Sequence, residues 1–281
     1  MAQAHTIVTP DGVELAATSY TPDGDVTRAV IVSSGTGFPM AFYRHFAEFL
    51  RARGALVVTY DYRGIDGSAT PELLGRADLP DWAEDLDAVV RWVAGRHPEL
   101  PLHHVGHSVG GHLVAFSKES HRFAGHQFVA VGAGTMWQHF VSRWPLEIYF
   151  WWVLGALSLM LWGHLKAVAG WGGTPLPGPV FRTWRRWSHQ TSYYRADVEA
   201  WRRDHPDARA DRPITFWVFT DDGIATPRAS RTIQACFPDA PIEVKTVAPE
   251  DYGLARIGHE GAFRRAEPLW EGLWEAMEGR A

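Results

Sequence analysis

Cysteine is nearly missing from this chain of 281 residues: Cys236 is the single one, so no internal disulfide can form and a reducing compartment is expected. Its apolar neighbours mark it as a small buried hydrophobe rather than a nucleophile. The segment Met1 to Pro10 is polar and lacks both the basic start and the apolar core of a signal peptide, which makes the cytoplasm the expected location. No cluster of Lys or Arg is long enough to form a nucleic-acid face, and the formal net charge is -5. A metal is not expected either. Fourteen histidines are present, but His103 and His104 are neighbours on a strand-like run and point to opposite faces, and no H-E-x-x-H or Cys/His pattern occurs. Nothing in the chain calls for a cofactor, and there is no internal repeat or low-complexity linker.

Hydrophobic residues make up 46% of the chain, ample for a sizeable core. Thr6 to Thr9 and Val13 to Tyr20, separated by Pro10-Asp11-Gly12, predict an N-terminal hairpin. Strand-like runs follow at Ala29 to Ser33, Ala55 to Tyr60, Leu102 to Val105, Phe128 to Val131, Ile214 to Thr220 and Ile242 to Val247, alternating with helical patterns. The clearest helix follows Asp81, where Trp82, Leu86, Val89, Val90 and Val93 repeat at helical spacing. Such alternation predicts an α/β fold with a mainly parallel central sheet and helices on both faces.

The most informative local feature is Gly106-His107-Ser108-Val109-Gly110, between the run ending at Val105 and a helix-like stretch from Gly111 to Lys118. A serine between two glycines at a strand-to-helix turn is held exposed and strained, a nucleophile elbow, with the N–H of Val109 placed to receive an oxyanion. Asp221 and Asp222 close the run Ile214 to Thr220, and His259 lies in a later loop. Serine attacks only when a histidine takes its proton and a carboxylate orients that histidine, and the order Ser, Asp, His suits this. His112, one helical turn beyond Ser108, is a weaker rival base.

Together with Ser34-Gly35-Thr36-Gly37-Phe38-Pro39, Tyr43, Arg44, Asp61-Tyr62-Arg63-Gly64, Trp184 and Trp187, these motifs make the chain resemble the α/β-hydrolases, and more narrowly a bacterial group of predicted α/β-hydrolases. The resemblance implies Ser108 as nucleophile, His259 as base and Asp222 as the preferred acid, with Asp221 then capping or stiffening the turn; Asp221 stays open as the alternative acid. It implies one oxyanion donor at Val109 and leaves the second open between Thr36 and Phe38, because the His-Gly pair of many relatives is replaced here. Substrate is not implied, since one fold carries many chemistries.

Residues 135 to 194 are expected to form a cap inserted after the sixth strand, between core segments 1–134 and 195–281. Eight of the 14 tryptophans fall there, at 137, 144, 151, 152, 162, 171, 184 and 187. The run Ile148 to Trp162 has no charge, yet at 15 residues it is shorter than the roughly 18 to 20 needed to cross a bilayer. A lid over an apolar substrate is the better reading, with Gly37, His107, Trp137, Trp151 and Trp152 as candidate substrate contacts. Contact of the same segment with a membrane surface is the alternative, because tryptophan favours lipid interfaces and Arg143, Lys166 and Arg182 flank the run. Arg182, Arg185 and Arg186 among Trp184 and Trp187 read as the solvated edge of an aromatic helix, and Gly170 to Pro179 as a loop.

Three functions remain. The favoured one is hydrolysis of an apolar ester, lactone or thioester through an acyl-enzyme. An acyltransferase or cyclase would use the same intermediate, and a non-catalytic binding protein would use only the pocket.

Overall fold

Strands buried on both faces should be largely apolar, and residues 29–32, 55–58 and 214–219 of this sheet are. The computed structural model describes residues 1–167, 173–264 and 266–278; Trp171 and the start of the expected Gly170–Pro179 loop lie outside them. Among the described residues, eight strands form one sheet in the order β1-β2-β4-β3-β5-β6-β7-β8. They are β1 (Ala2–Val8), β2 (Glu14–Tyr20), β3 (Arg28–Ser33), β4 (Ala55–Tyr60), β5 (Leu102–His107), β6 (Phe123–Val129), β7 (Ile214–Phe219) and β8 (Ile242–Val247). The pairs β1/β2 and β2/β4 are antiparallel and the remainder parallel.

Side chains alternate across this sheet with the strand period of two. Ile31, Val58, Phe128 and Phe216 pack on one face with α3 (Leu79–Arg96), through its Trp82, Leu86, Val89 and Val93. Val30, Val57, Val105 and Phe219 pack on the other with α1 (Arg44–Arg51) and α10 (Glu267–Glu278), through Phe46, Leu50, Leu269 and Trp270. The start of α3 is fixed by Asp78 and Asp81, which form a capping box. The Asp61-Tyr62-Arg63-Gly64 motif is structural: Arg63 is buried, its Nε donates to Asp85 of α3 at 2.7 Å and its Nη1 to Asp11 at 2.7 Å.

Two elements differ from expectation. β6 begins at Phe123, not Phe128, and the chain leaves it at Ala130 with a positive φ of 52°. The polar His126 and Gln127 hid its first half, and in the fold they are buried in the sheet, where Gln127 accepts from Trp217 Nε1 at 2.8 Å. The helix after Ser108 is also short: α4 (Val109–His112) tightens into a 3₁₀ turn (Leu113–Phe116) and stops before Lys118.

After β6 comes the helical insertion. Its first part is one continuous helical segment, Val141–Trp162, ended by Gly163 in the left-handed conformation. At 22 residues and a mean hydropathy of 1.3 in its most apolar window, it is long and apolar enough to cross a membrane by length and composition, which corrects the 15-residue expectation. Glu147 had interrupted the apolar run in the sequence, but it is buried against His139, with Oε1 2.8 Å from Nδ1. Trp151 and Leu154 turn inward onto α7 (Gly178–Ser188), where Trp151 meets Phe181 and Trp184 at ring distances of 5.4 and 4.8 Å.

Candidate active site

Ser108 stands at the carboxyl end of β5 with φ 51° and ψ -116°, outside the regions that serine ordinarily occupies. Both flanking glycines are required by close approach. A Cβ on Gly106 would lie 2.7 Å from Gly111 N, and one on Gly110 2.4 Å from Ser33 O. The strained turn lifts the Ser108 hydroxyl to 3.1 Å from His259 Nε2.

His259 Nδ1 lies 2.8 Å from Asp222 Oδ2. Because a carboxylate only accepts, Nδ1 carries the proton and Nε2 presents its lone pair to the serine. Asp222 is fully buried after β7, and its other oxygen accepts from the N–H groups of Ile224 and Ala225 at 2.8 and 3.1 Å. Burial pushes its carboxyl up, but the His259 imidazole and those two N–H groups outweigh this and hold it below the ordinary range. Asp221 points elsewhere: its two oxygens accept from the N–H groups of Ile257 and Gly258, each at 2.9 Å. It does stiffen a turn, but the turn is the one that carries His259.

A cavity of about 360 Å³ opens above Ser108, lined by Thr36, Phe38, Val109, Asp222 and His259 among others. The Phe38 N–H is occupied, donating to Gly35 O at 3.1 Å. The N–H groups of Thr36 and Val109 have no hydrogen-bond partner among the described residues, and both residues border the cavity. A serine oxygen, a basic imidazole nitrogen and two unspent N–H donors around one space can pass a proton and receive a developing oxyanion.

Several expected substrate contacts lie elsewhere. His107 is fully buried beneath the cavity, its ring held by Tyr43 and by the His259 carbonyl rather than facing a ligand. Gly37 is absent from the cavity wall and gives its carbonyl to Thr174 N–H at 2.9 Å. Trp137 borders neither this cavity nor its neighbour. Trp152 is 56% exposed on the outer face, with the Arg185 guanidinium over its ring. Trp151 does reach a site, a second cavity of about 170 Å³ walled also by Leu146, Phe150, Trp184 and Ile224. The two cavities share Gly134, Arg143, Trp184 and Ile224, so the space above Ser108 adjoins a more apolar one beside the helix Val141–Trp162.

His259, and not His112, is the imidazole hydrogen-bonded to the Ser108 hydroxyl. His112 borders the main cavity, but its Nε2 donates to Gly132 O at 3.1 Å and burial pulls its imidazole down to about 3. Sequence reasoning missed Arg143, Tyr193 and Ile224 in the wall. Ile224 alone had a local signal, two residues beyond Asp222.

The sheet order, the elbow after its fifth strand and the hydrogen-bonded Ser108, His259 and Asp222 define an α/β-hydrolase. Residues 24–204 match the family Hydrolase_4, described as serine aminopeptidase, S33, and the chain belongs to that family. It is 33% identical over 110 residues to a monoacylglycerol lipase of Mycolicibacterium smegmatis, a match spanning 39% of this chain and 39% of that protein. A monoglyceride lipase of Rattus norvegicus is 29% identical over 121 residues, spanning 42% of this chain and 40% of the relative. The chain thus matches well under half the length of these curated relatives. Among solved structures, a soluble variant of monoglyceride lipase from Saccharomyces cerevisiae aligns over 100% of this chain and 95% of its own, with a TM-score of 0.68 and 13% identity. Est1E from Butyrivibrio proteoclasticus aligns over 99% of both chains with a TM-score of 0.63 and 18% identity. At such identities these structures speak for the fold alone.

Proposed function

We propose that the protein is a serine ester hydrolase whose substrate is a monoacylglycerol or a similar single-chain lipid ester, cleaved through an acyl-enzyme. Ser108 attacks the ester carbonyl while His259 Nε2 takes its proton, and Asp222 steadies the imidazolium. The N–H groups of Val109 and Thr36 receive the oxyanion. The leaving alcohol takes the proton from His259, and a water activated by the same imidazole then releases the fatty acid. The observation that carries this reading is the continuous chain Ser108 Oγ, His259 Nε2, His259 Nδ1 and Asp222 Oδ2, at 3.1 and 2.8 Å, beside two unspent N–H donors. Similarity to monoacylglycerol lipases and an apolar cleft walled by Leu146, Phe150, Trp151 and Ile224 support a fatty acyl chain.

Residues 135–194 act as the lid of this site, and their helix rests on the lipid surface that supplies the substrate. Among the described residues, every exposed large apolar side chain except Met1, Val8, Ile242 and Val244 lies between Phe140 and Trp162. Monomeric proteins rarely gather so much apolar surface without a partner. Lys166 and Arg185 sit over the rings of Trp162 and Trp152, where cations would meet anionic headgroups.

Intact-mass labelling with a fluorophosphonate, followed by hydrolysis of monoacylglycerols of increasing chain length, tests the reading. One phosphonyl adduct that disappears in Ser108→Ala, with fatty acid released into water, is the expected result. An unlabelled wild type would sink it in favour of a binding protein, and acyl groups recovered mainly on added alcohol would make it an acyltransferase.

A further inference from the structure

Next to Ser108, two loops and the end of β5, from distant parts of the chain, meet at two fully buried side chains, Tyr43 and His107. His107 Nε2 lies 2.9 Å from the backbone oxygen of His259, which can only accept, so that nitrogen bears the hydrogen. Burial, with the neighbouring His259 adding to it, pulls the His107 imidazole down to about 3, so the ring is neutral and Nδ1 is a bare lone pair. The Tyr43 hydroxyl, 2.7 Å from Nδ1, is therefore the donor in that bond. Its oxygen in turn accepts the Gly35 N–H at 2.8 Å. Every donor and acceptor has one assignment: Gly35 N–H to Tyr43, Tyr43 O–H to His107, His107 N–H to the His259 carbonyl.

We propose that Tyr43 and His107 are positioning residues for acyl transfer, a buried strut that sets the oxyanion loop and the base loop at a fixed distance from the nucleophile. Each end of the strut is next to a reacting group. Gly35 precedes Thr36, whose free N–H borders the cavity, and the other end holds the backbone of His259 itself. His107 immediately precedes Ser108, so the centre of the strut is the nucleophile's own strand. The close fit also explains Gly35, where a Cβ would stand 2.8 Å from His107 Nδ1. Phe38 and Phe263 flank the imidazole at ring distances of 5.4 and 5.1 Å and prevent it from turning. Water is excluded, so no solvent molecule can replace a missing link, and an error in loop position passes undamped to the reacting atoms.

This inference rests on the serine hydrolase reading, and the test separates the two. Wild type is first titrated with a fluorophosphonate; if Ser108 is not labelled, that reading fails and the strut has no reaction to serve. With labelling established, kcat and KM on a soluble short-chain aryl ester and the affinity for a trifluoromethyl ketone are measured for Tyr43→Phe, His107→Gln and His107→Leu. Tyr43→Phe keeps the ring and removes only the hydroxyl. The expected result is a kcat lower by about ten- to a hundredfold with KM nearly unchanged, and a matching loss of affinity for the ketone, which needs the oxyanion donors. His107→Gln, which can still donate to the His259 carbonyl and accept from Tyr43, should recover a good part of what His107→Leu loses. Should Tyr43→Phe fail to fold, the Gln and Leu pair decides alone. Unchanged kcat, a change confined to KM, or a glutamine no better than leucine would overturn the proposal.

Discussion

Asp221 and Asp222, consecutive in the chain, grip one loop at two points: Asp222 takes the His259 side chain at 2.8 Å, and Asp221 takes the N–H groups of Ile257 and Gly258 at 2.9 Å. The two bonds differ in kind. One fixes the imidazole tautomer, whereas the other fixes only the backbone.

The paired substitutions therefore separate. Asp222→Asn should lower kcat by about 10³- to 10⁴-fold, because the amide reverses the tautomer and no longer balances an imidazolium. Asp221→Asn keeps one acceptor and should cost about 1 to 2 kcal/mol of stability with a much smaller loss of rate. Ester hydrolysis and thermal melting of both variants check this, and the opposite ranking would move the acid by one residue.

Ser108 sits at φ 51°, a conformation that glycine adopts without cost. Ser108→Gly should abolish turnover and yet raise the stability of the fold by about 1 kcal/mol, the strain of the elbow outweighing the added freedom of the unfolded chain. Ser108→Ala keeps the strain and should melt close to wild type. A glycine variant less stable than the alanine one would show that the turn is not strained.

Met160 and Leu161 are 73% and 61% exposed near the end of the helix Val141–Trp162. Replacing both by serine should weaken binding to anionic lipid vesicles by at least about tenfold, since each apolar side chain is worth roughly 1.5 to 3 kcal/mol on burial. Turnover of a soluble short-chain ester should stay the same. Equal vesicle binding by wild type and variant in a flotation assay would refute contact between this face and lipid.

Asp61 is buried and accepts from the Met40 N–H at 2.6 Å; burial pushes its carboxyl up to about 6 from 3.8. The folded state thus binds this proton more tightly than the unfolded chain does. Its contribution to stability is fully present below about pH 4 and is lost as pH rises through about 6. Wild type should accordingly lose stability relative to Asp61→Asn between pH 4 and pH 8. Melting curves of the two proteins across that range measure it, and a difference independent of pH would refute it.

What the sequence determined by itself is whatever depends on near neighbours. The strands β3, β4 and β7 are buried on both faces and so are largely apolar in sequence; their alternation with helices disclosed the parallel sheet. The elbow was legible because its strain and its two glycines lie within five residues. The order of Ser108, Asp222 and His259 was likewise readable, since each follows a strand or closes a loop that the pattern reveals.

Only the tertiary structure decided the rest, because it depends on distances between segments remote in the chain. Thr36 and Phe38 are alike in sequence, and the difference is that the Phe38 N–H is spent on Gly35. His107 looked like a pocket residue, but the fold places Tyr43 and the His259 carbonyl on its two nitrogens. The length of the apolar helix was concealed by Glu147, a charge that the fold buries against His139. Trp151 and Trp152 are neighbours with opposite fates, one turned into the cleft and the other left on the surface, because a helix shows its two sides to different surroundings and only packing decides which side is inward.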